Sequence, residues 1–397
     1  MITKKGRGFK FACFTLEGMG SFAVSFYFYY LYFFMRKEFG FSGKDNLAFA
    51  AFIGLIYVFA SWQAGRFGQR RGYFNALKLG FGVMIVALAA GSQLNSAAGL
   101  VLATALLTFG MCFLWPTIEA LVSEGEDATG LPRAVGTYNV VWAGTNALAL
   151  FGGGMLVEKF GFKTIFFLPL AILIVELALT LWLEKHSADL ARAAGQEPAP
   201  APVPDPHRPS PVKTRAFLRM AWLANPFAYL AINTFIPLLP TVASRFHLSP
   251  MFAGFVCSLW GFVRLGTFIA LWAWTEWHYR FRWLVMAFAT LIVSFAAILI
   301  VPNLAVLLLA QIFFGAAIGL IYYSSLFYSM DASEAKGEHG GIHEAAIGLG
   351  NFIGPAVGAA SLQFLPQYAS SGAIAVSALL LCGLGGLVAI WKTGRGN

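Results

Sequence analysis

The stretch Leu284-Val-Met-Ala-Phe-Ala-Thr-Leu-Ile-Val-Ser-Phe-Ala-Ala-Ile-Leu-Ile-Val301 runs without a single charged residue. A helix of roughly 20 apolar residues crosses the hydrocarbon core of a bilayer, which is about 30 Å thick. A second uncharged run, Leu100–Phe113, has the same character. Neither run alternates between apolar and polar residues, as the strands of a membrane β-barrel do. These stretches predict an all-α membrane protein.

The composition of the whole chain points the same way. Of its 397 residues, 58% are hydrophobic and only 11% are charged. An ordinary soluble domain carries roughly 25% charged residues. So little charge cannot cover a surface that faces water, which argues against a soluble enzyme, a disordered protein and a nucleic-acid-binding protein.

Twelve segments are long and apolar enough to be predicted as membrane spans, and together they occupy most of the chain. Their predicted limits are Phe9–Met35, Asn46–Gln63, Phe74–Gln93, Ala98–Val122, Ala134–Val157, Phe162–Leu183, Phe217–Phe246, Met251–Trp274, Trp283–Val301, Leu304–Met330, Gly341–Phe364 and Ala369–Trp391.

The long polar stretch between spans six and seven is rich in proline, which favours an extended, hydrated chain. It predicts a cytoplasmic linker over residues 184–215, between an N-terminal six-helix half (residues 1–183) and a C-terminal six-helix half (residues 216–397).

The two halves resemble each other in sequence. Phe49-Ala-Ala-Phe-Ile matches Phe252-Ala-Gly-Phe-Val 203 residues later, and Gly136 and Asn146 match Gly341 and Asn351 205 residues later. A near-constant offset predicts an internal duplication, and repeated halves are a recurrent design among membrane transporters. We therefore expect two pseudo-symmetric halves.

Basic residues concentrate on one side of the predicted spans, the side that holds both termini. The opposite side has only Arg36, Lys37, Lys44, Lys159, Lys163 and Arg245. Because Lys and Arg are enriched in cytoplasmic segments, both termini are predicted to be cytoplasmic. Topology thus explains much of the net charge of +9 without a nucleic-acid partner.

Twelve spans, a central linker, duplicated halves and internal termini together resemble the major facilitator superfamily. That family carries a G-x-x-x-D-R-x-G-R-R loop between spans two and three. In the corresponding stretch, 61–71, Arg66, Gly68 and Arg70 fit the motif, but Gly65 stands at the acidic position. The resemblance implies transport by alternating access, with these three residues as parts of a cytoplasmic gate whose latch lacks its carboxylate.

Two prolines are further candidates for gating. Pro116 in span four lacks a backbone donor and predicts a kink, which would suit a helix that bends during transport. Gly350-Asn-Phe-Ile-Gly354-Pro355-Ala-Val-Gly358 resembles a pattern that the family's antiporters carry in span five, although here it falls in span eleven. Gly354 and Pro355 are therefore gating candidates; the alternative is close helix packing by small residues.

An ionisable side chain within a span is costly and is a functional candidate by default. Arg264 in span eight could bind a substrate carboxylate through its planar guanidinium group. Glu17 in span one could contribute to the substrate site and carry a proton, since a partly desolvated carboxylate can titrate near neutral pH. The alternative is that Glu17 and Arg264 pair with each other. Glu119 is a second proton candidate or simply reaches water, and Glu176 is expected to make a structural hydrogen bond.

Other polar side chains within the spans could line a substrate pocket or could join helices to one another. These candidates are Tyr27, Asn139, Asn146, Asn233, Tyr322 and Asn351. His339 and His343 have a spacing that a metal site could use, but no third ligand lies at a fixed spacing. The four cysteines are scattered singly and are expected to be packing residues. No metal or cofactor is expected.

The sequence therefore predicts a secondary active transporter in the plasma membrane (the cell inner membrane), a monomer that moves a small organic solute. The preferred version is proton-coupled transport of an organic anion, and the alternative is proton-driven efflux of amphipathic compounds. A membrane-embedded enzyme or receptor is a remote alternative, because no recognised catalytic motif is present. The expected partners are the solute, protons and lipid, with no nucleic acid.

Overall fold

The computed structural model describes residues 4–124, 126, 130–193, 211–332 and 336–393, and they form helices joined by short turns. The helices are α1 (Lys4–Phe39), α2 (Gly43–Arg71), α3 (Tyr73–Gly91), α4 (Ala97–Met111), α5 (Trp115–Ser123), α6 (Gly130–Phe160), α7 (Thr164–Ala193), α8 (Pro211–Phe235), a 3-10 turn (Ile236–Leu238), α9 (Leu239–Arg245), α10 (Pro250–Cys257), α11 (Leu259–Ala273), α12 (Phe281–Ile300), α13 (Leu304–Ala332), α14 (Lys336–Phe364) and α15 (Ser371–Thr393).

Over the described ranges these helices form twelve rods, because α4 continues into α5, α8 into α9 and α10 into α11. Eleven of the rods are long and apolar enough to cross a membrane within those ranges, and α14 is the twelfth. The all-α, twelve-rod bundle predicted from the sequence is confirmed. We call the end that holds Lys4 and Thr393 the terminal end and the opposite end the far end.

Breaks within the rods have local causes. Pro116 occupies the first turn of α5, directly after the break that follows α4. Pro237 lies in the 3-10 turn between α8 and α9. Proline has no backbone N–H to donate, so a regular hydrogen-bond ladder cannot run through it, whereas the first turn of a helix accepts it readily.

Helix α2 extends beyond its predicted end. Arg66, Gly68 and Arg70 lie in its last turns, rather than in a loop as the motif implies. Gly72, with φ +91°, alone separates α2 from α3. The arginines of the last turn interact favourably with the negative end of the helix dipole, which helps the helix persist where hydropathy falls.

The predicted linker is shorter in the structure than the polar stretch suggested. Helix α7 continues to Ala193 and α8 begins at Pro211. The proline-rich residues 194–210 lie outside the described ranges. The division of the chain into two halves at residues 184–215 therefore stays a prediction.

Two helix crossings join the predicted halves, with α2 against α14 and α6 against α10 and α11. The backbones approach closely at both. A Cβ placed on Gly54 of α2 would lie 2.5 Å from the Asn351 carbonyl oxygen of α14, and one on Gly154 of α6 would overlap the Pro250 carbonyl oxygen. Only glycine permits these approaches.

Four hydrogen bonds also join the predicted halves near the far end. They are Arg36 Nη1 to the Pro240 carbonyl oxygen (3.1 Å), Asn46 Nδ2 to the Pro237 carbonyl oxygen (3.2 Å), Lys44 Nζ to Gln363 Oε1 (2.8 Å) and the Met251 N–H to Glu158 Oε1 (2.8 Å). Together with the Gly154 contact, they hold the far end closed.

Candidate functional site

A cavity of about 200 Å³ lies between the two predicted halves, with walls from α1, α2, α4, α5, α6, α8, the 3-10 turn, α11, α13 and α14. Its walls are mainly aromatic, and among them are Tyr29, Tyr32, Tyr57, Tyr138, Tyr229, Tyr322, Trp115, Trp142 and Trp260. Phenols and indoles offer an apolar face and a hydrogen-bonding edge. A cavity of this kind suits a small organic molecule with a few polar groups.

Arg264 lines this cavity and is 2% exposed. Its Nη2 donates to Asn146 Oδ1 at 3.1 Å, and the guanidinium carbon lies 4.3 Å and 5.0 Å from the ring centres of Trp142 and Trp260. Among the described residues Arg264 forms no ion pair. The alternative in which Arg264 pairs with Glu17 is therefore not what the structure contains.

Asn146 connects α6 to both neighbouring rods of the cavity wall. It accepts from Tyr29 Oη and donates through Nδ2 to Ser25 Oγ at 2.6 Å, in addition to its contact with Arg264. A bond similar to that from Tyr29 to Asn146 occurs between α8 and α14, where Asn233 Nδ2 donates to Asn351 Oδ1 at 2.6 Å.

These two bonds occupy equivalent positions of the repeat. Asn146 and Asn351 are 205 residues apart, and Tyr29 and Asn233 are 204 residues apart. All four residues line the cavity. The near-constant offset found in the sequence therefore relates side-chain hydrogen bonds of the structure as well as residue types.

Four of the side chains predicted to bind substrate, besides Arg264, lie in the cavity wall, namely Asn146, Asn233, Tyr322 and Asn351. Two others do not. Tyr27 is buried away from the cavity, where its Oη is 2.7 Å from Thr104 Oγ1. Asn139 is 1% exposed, and neither of its side-chain amide atoms has a hydrogen-bond partner among the described residues.

Glu17 is completely buried behind the cavity wall. Its Oε1 accepts from Ser21 Oγ at 2.7 Å, whereas Oε2 has no hydrogen-bond partner among the described residues. The carboxyl group contacts Tyr138, which faces the cavity. A substrate in the cavity would thus meet Tyr138 before Glu17.

The other acidic candidates lie in different surroundings. Glu119 on α5 is partly exposed and interacts electrostatically with Glu344. Glu176 on α7 is completely buried against α1, where a Cβ on Gly20 would lie 3.0 Å from its Oε1. The backbone of Gly20 interacts with the Glu176 carboxyl group, whereas neither carboxyl oxygen has a well-formed hydrogen bond among the described residues, and the expected structural hydrogen bond stays a prediction.

Glu344 was missed as a cavity residue by the sequence reasoning. It lies in the cavity wall, 8% exposed, and accepts a hydrogen bond from Tyr57 Oη of the other half. The signal was its spacing, since Glu344 precedes Asn351 by two helical turns and so shares its face of α14.

The gating candidates lie in α2, α5 and α14, and Pro116 of α5 is described above. Arg66 stacks on Trp62 with its guanidinium carbon 4.1 Å from the ring centre, Arg70 is exposed, and Gly68 is buried near Thr117. In α14, a Cβ on Gly354 would lie 2.5 Å from the Leu230 carbonyl oxygen of α8. Gly354 thus packs α14 on α8, and Pro355 lies inside α14.

The described residues contain no group of three or more His, Cys, Asp or Glu side chains placed to hold a metal ion. The side chains of His339 and His343 lie outside what the structure describes. Of the four cysteines, Cys13, Cys112 and Cys257 are buried and Cys382 is exposed.

Over the described ranges, a bundle of twelve rods, eleven of them long and apolar enough to cross a membrane, surrounds a central cavity, an arrangement typical of a multi-pass membrane transporter. The sequence model of the Major Facilitator Superfamily matches residues 13–355. The chain belongs to the Major Facilitator Superfamily.

Relatives and solved structures agree with this. An uncharacterized MFS-type transporter, Rv1250, of Mycobacterium tuberculosis is 29% identical over 130 residues, which is 32% of this chain and only 22% of that protein. The human organic anion transporter MFSD10 matches with a TM-score of 0.66 at 16% identity, covering 97% of this chain and all of that one. A bacterial homologue of the human drug peptide transporters PepT1 and PepT2 matches with a TM-score of 0.71 at 16% identity, covering 99% and 100%.

Proposed function

We propose that this transporter moves a small organic anion, with proton coupling, by alternating access of its central cavity. The observation that carries the proposal is the position of Arg264, a buried cation in the wall of the cavity between the halves. Its partners there, Asn146, Trp142 and Trp260, are neutral. A buried cation without an anionic partner is costly, and a bound carboxylate would remove that cost.

The geometry around Arg264 favours a planar anion. Asn146 and the two indoles fix the guanidinium plane, and a fixed guanidinium group can donate two parallel hydrogen bonds to one carboxylate. The cavity of about 200 Å³ is smaller than the roughly 300–1,000 Å³ typical of sites for drug-sized ligands. Its size therefore supports a small solute over the efflux of large amphipathic compounds.

Glu17 is our candidate for the proton carrier. It is buried and forms no ion pair among the described residues, and uptake of a proton would remove the cost of the charge. Its contact with Tyr138 provides a route for communication with the cavity. Glu119, partly exposed nearer the terminal end, is a second candidate along the same path.

The proposal also places the protein in the plasma membrane as a monomer. The excess of basic residues on the terminal side supports cytoplasmic termini in the plasma membrane, here the cell inner membrane. The cavity is built from residues of one chain, which supports a monomer as the transporting unit.

The test is transport by the full chain in liposomes. Substrate-dependent proton flux would be measured for a panel of carboxylates and, separately, cationic dyes. We expect carboxylate flux that Arg264→Ala abolishes and Arg264→Lys reduces, with the exposed Arg215→Lys as matched control. Dye movement that Arg264→Ala leaves unchanged, without carboxylate flux, would overturn the proposal.

Proton coupling needs its own variant. We expect Glu17→Gln to retain exchange of carboxylate across the membrane while losing uptake driven by a proton gradient. The exposed Glu38→Gln at the far end of α1 is the matched control. Gradient-driven uptake that survives in Glu17→Gln would remove Glu17 as the carrier.

A further inference from the structure

The cavity contains two charged side chains of opposite sign. Arg264 of α11 is 2% exposed and Glu344 of α14 is 8% exposed, and both line the same cavity. No ion pair joins them among the described residues. A single small cavity therefore has a positive and a negative group that do not neutralise each other.

Each of the two charges is held in place by neutral groups. Arg264 is fixed by Asn146 and two indoles, and Glu344 by the phenol of Tyr57. Hydrogen bonds from neutral partners orient a charge and offset only part of the cost of taking it out of water. The remaining cost is removed when a group of opposite charge enters the cavity.

The space between the two charges is lined by groups that a small molecule could touch. Tyr229 of α8 interacts electrostatically with both Arg264 and Glu344. The neighbouring amides of Asn233 and Asn351 are already paired with each other at 2.6 Å. The path from one charge to the other is therefore aromatic and weakly polar, and it suits the body of an organic molecule.

We propose that the cargo is zwitterionic, with its carboxylate bound by Arg264 and a protonated amine bound by Glu344. This inference rests on the proposed function, because it assumes that the cavity binds cargo and that Arg264 binds an anion. It adds a second determinant, so that a simple carboxylate of the same size is a poorer cargo than the amino acid it resembles.

A different role for Glu344 makes a different prediction. A carboxyl group that only carries protons would affect gradient-driven uptake of every cargo alike. A carboxylate that binds an amine changes the ratio between cargoes with and without that amine. The ratio therefore separates the two roles even if Glu344→Gln lowers overall activity.

The experiment uses matched probes with the full chain in liposomes. Each of several amino acids, such as phenylalanine, leucine and alanine, is compared with two analogues that keep its side chain. One analogue is the carboxylic acid without the amino group, and the other is the amine without the carboxyl group. Binding is followed by thermal stabilisation of the protein, and transport by exchange across the membrane without a proton gradient. The variants are Glu344→Gln, Arg264→Lys and the exposed control Glu38→Gln.

We expect the amino acid to bind at least tenfold more tightly than the deaminated acid, and Glu344→Gln to reduce that ratio to near one. The inference would be overturned if, for every side chain, the deaminated acid bound as tightly as the amino acid. It would also be overturned if the protein responded to none of the probes. In the first case the anion site at Arg264 survives. Binding that Arg264→Lys leaves unchanged for every probe would instead contradict the proposed function.

Discussion

Arg264, in the predicted C-terminal half, donates a hydrogen bond of 3.1 Å to Asn146, in the predicted N-terminal half. The bond crosses the cavity wall between α11 and α6. It therefore couples the orientation of the proposed anion-binding group to the relative position of the two halves. In the proposed mechanism, substrate recognition and the movement of the halves would share this contact.

The first prediction concerns Asn146. Replacing it with alanine removes the acceptor that orients Arg264. Because hydrogen bonds to charged groups contribute about 1.5–3 kcal/mol, we expect carboxylate affinity to fall roughly tenfold to a hundredfold. Affinity would be measured by ligand-dependent thermal stabilisation, with the exposed Asn75→Ala as control. Unchanged carboxylate affinity in Asn146→Ala would show that this hydrogen bond does not contribute to carboxylate binding.

The second prediction compares two tyrosines on α1. Tyr27 bonds to Thr104 away from the cavity, whereas Tyr29 bonds to Asn146 in its wall. Tyr27→Phe should lower the free energy of unfolding by about 0.5–1.5 kcal/mol and leave cargo affinity unchanged. Tyr29→Phe should lower cargo affinity as well. The two measurements are thermal unfolding and equilibrium binding. Lower cargo affinity in Tyr27→Phe, with unchanged affinity in Tyr29→Phe, would indicate that Tyr27 contacts the cargo.

The third prediction concerns Asn139, a buried amide without hydrogen-bond partners. Leucine has the same number of side-chain heavy atoms with the same branching, and it buries no polar group. Since an unsatisfied amide costs free energy, Asn139→Leu should leave the thermal midpoint unchanged or raise it, whereas Asn139→Ala should lower it by creating a void. A loss of cargo binding in the leucine variant would instead indicate that cargo contacts this amide.

The fourth prediction concerns closure of the far end. A methyl group on Gly154 would overlap the Pro250 carbonyl oxygen, whereas one on Gly152 meets no atom within 4 Å. Overpacking costs roughly 1–3 kcal/mol, which shifts a two-state ratio about tenfold for each 1.4 kcal/mol. We expect Gly154→Ala, but not Gly152→Ala, to favour an open far end.

This shift would be read from spin labels at positions 44 and 363, which face each other across the halves as Lys44 and Gln363. The labels require a background without the four native cysteines. A longer distance population in Gly154→Ala is the expected result. Identical distance distributions in both glycine variants would contradict the assignment of this crossing to the closed far end.

Apolar runs were sufficient to predict the rods, because a bilayer demands length and hydropathy and little else. The helix boundaries depend on more than hydropathy. Arg66 and Arg70 lie beyond the apolar run yet within α2, since water and the helix dipole both favour basic residues at that end. A hydropathy rule ends the helix too early at such a place.

The composition of the cavity was harder to predict. Mid-span polarity identified Arg264 and Asn146 as candidates, and both lie in the cavity wall, although cargo binding by them stays a prediction. The same criterion also selected Tyr27 and Asn139, which face other helices. A sequence shows that a side chain is polar and buried, but the rotation of its helix decides what it faces. Glu344 was missed for that reason.

The repeat places Tyr57 and Trp260 at equivalent positions of the cavity wall, 203 residues apart. The position equivalent to Arg264 by the same offset is Ser61, whose hydroxyl donates to the Tyr57 carbonyl oxygen at 2.7 Å. The architecture is thus shared between the halves, while the cation belongs to one of them. If Arg264 binds the cargo as proposed, the anion-binding group comes from the C-terminal half, and the N-terminal half contributes the amide of Asn146 that orients it.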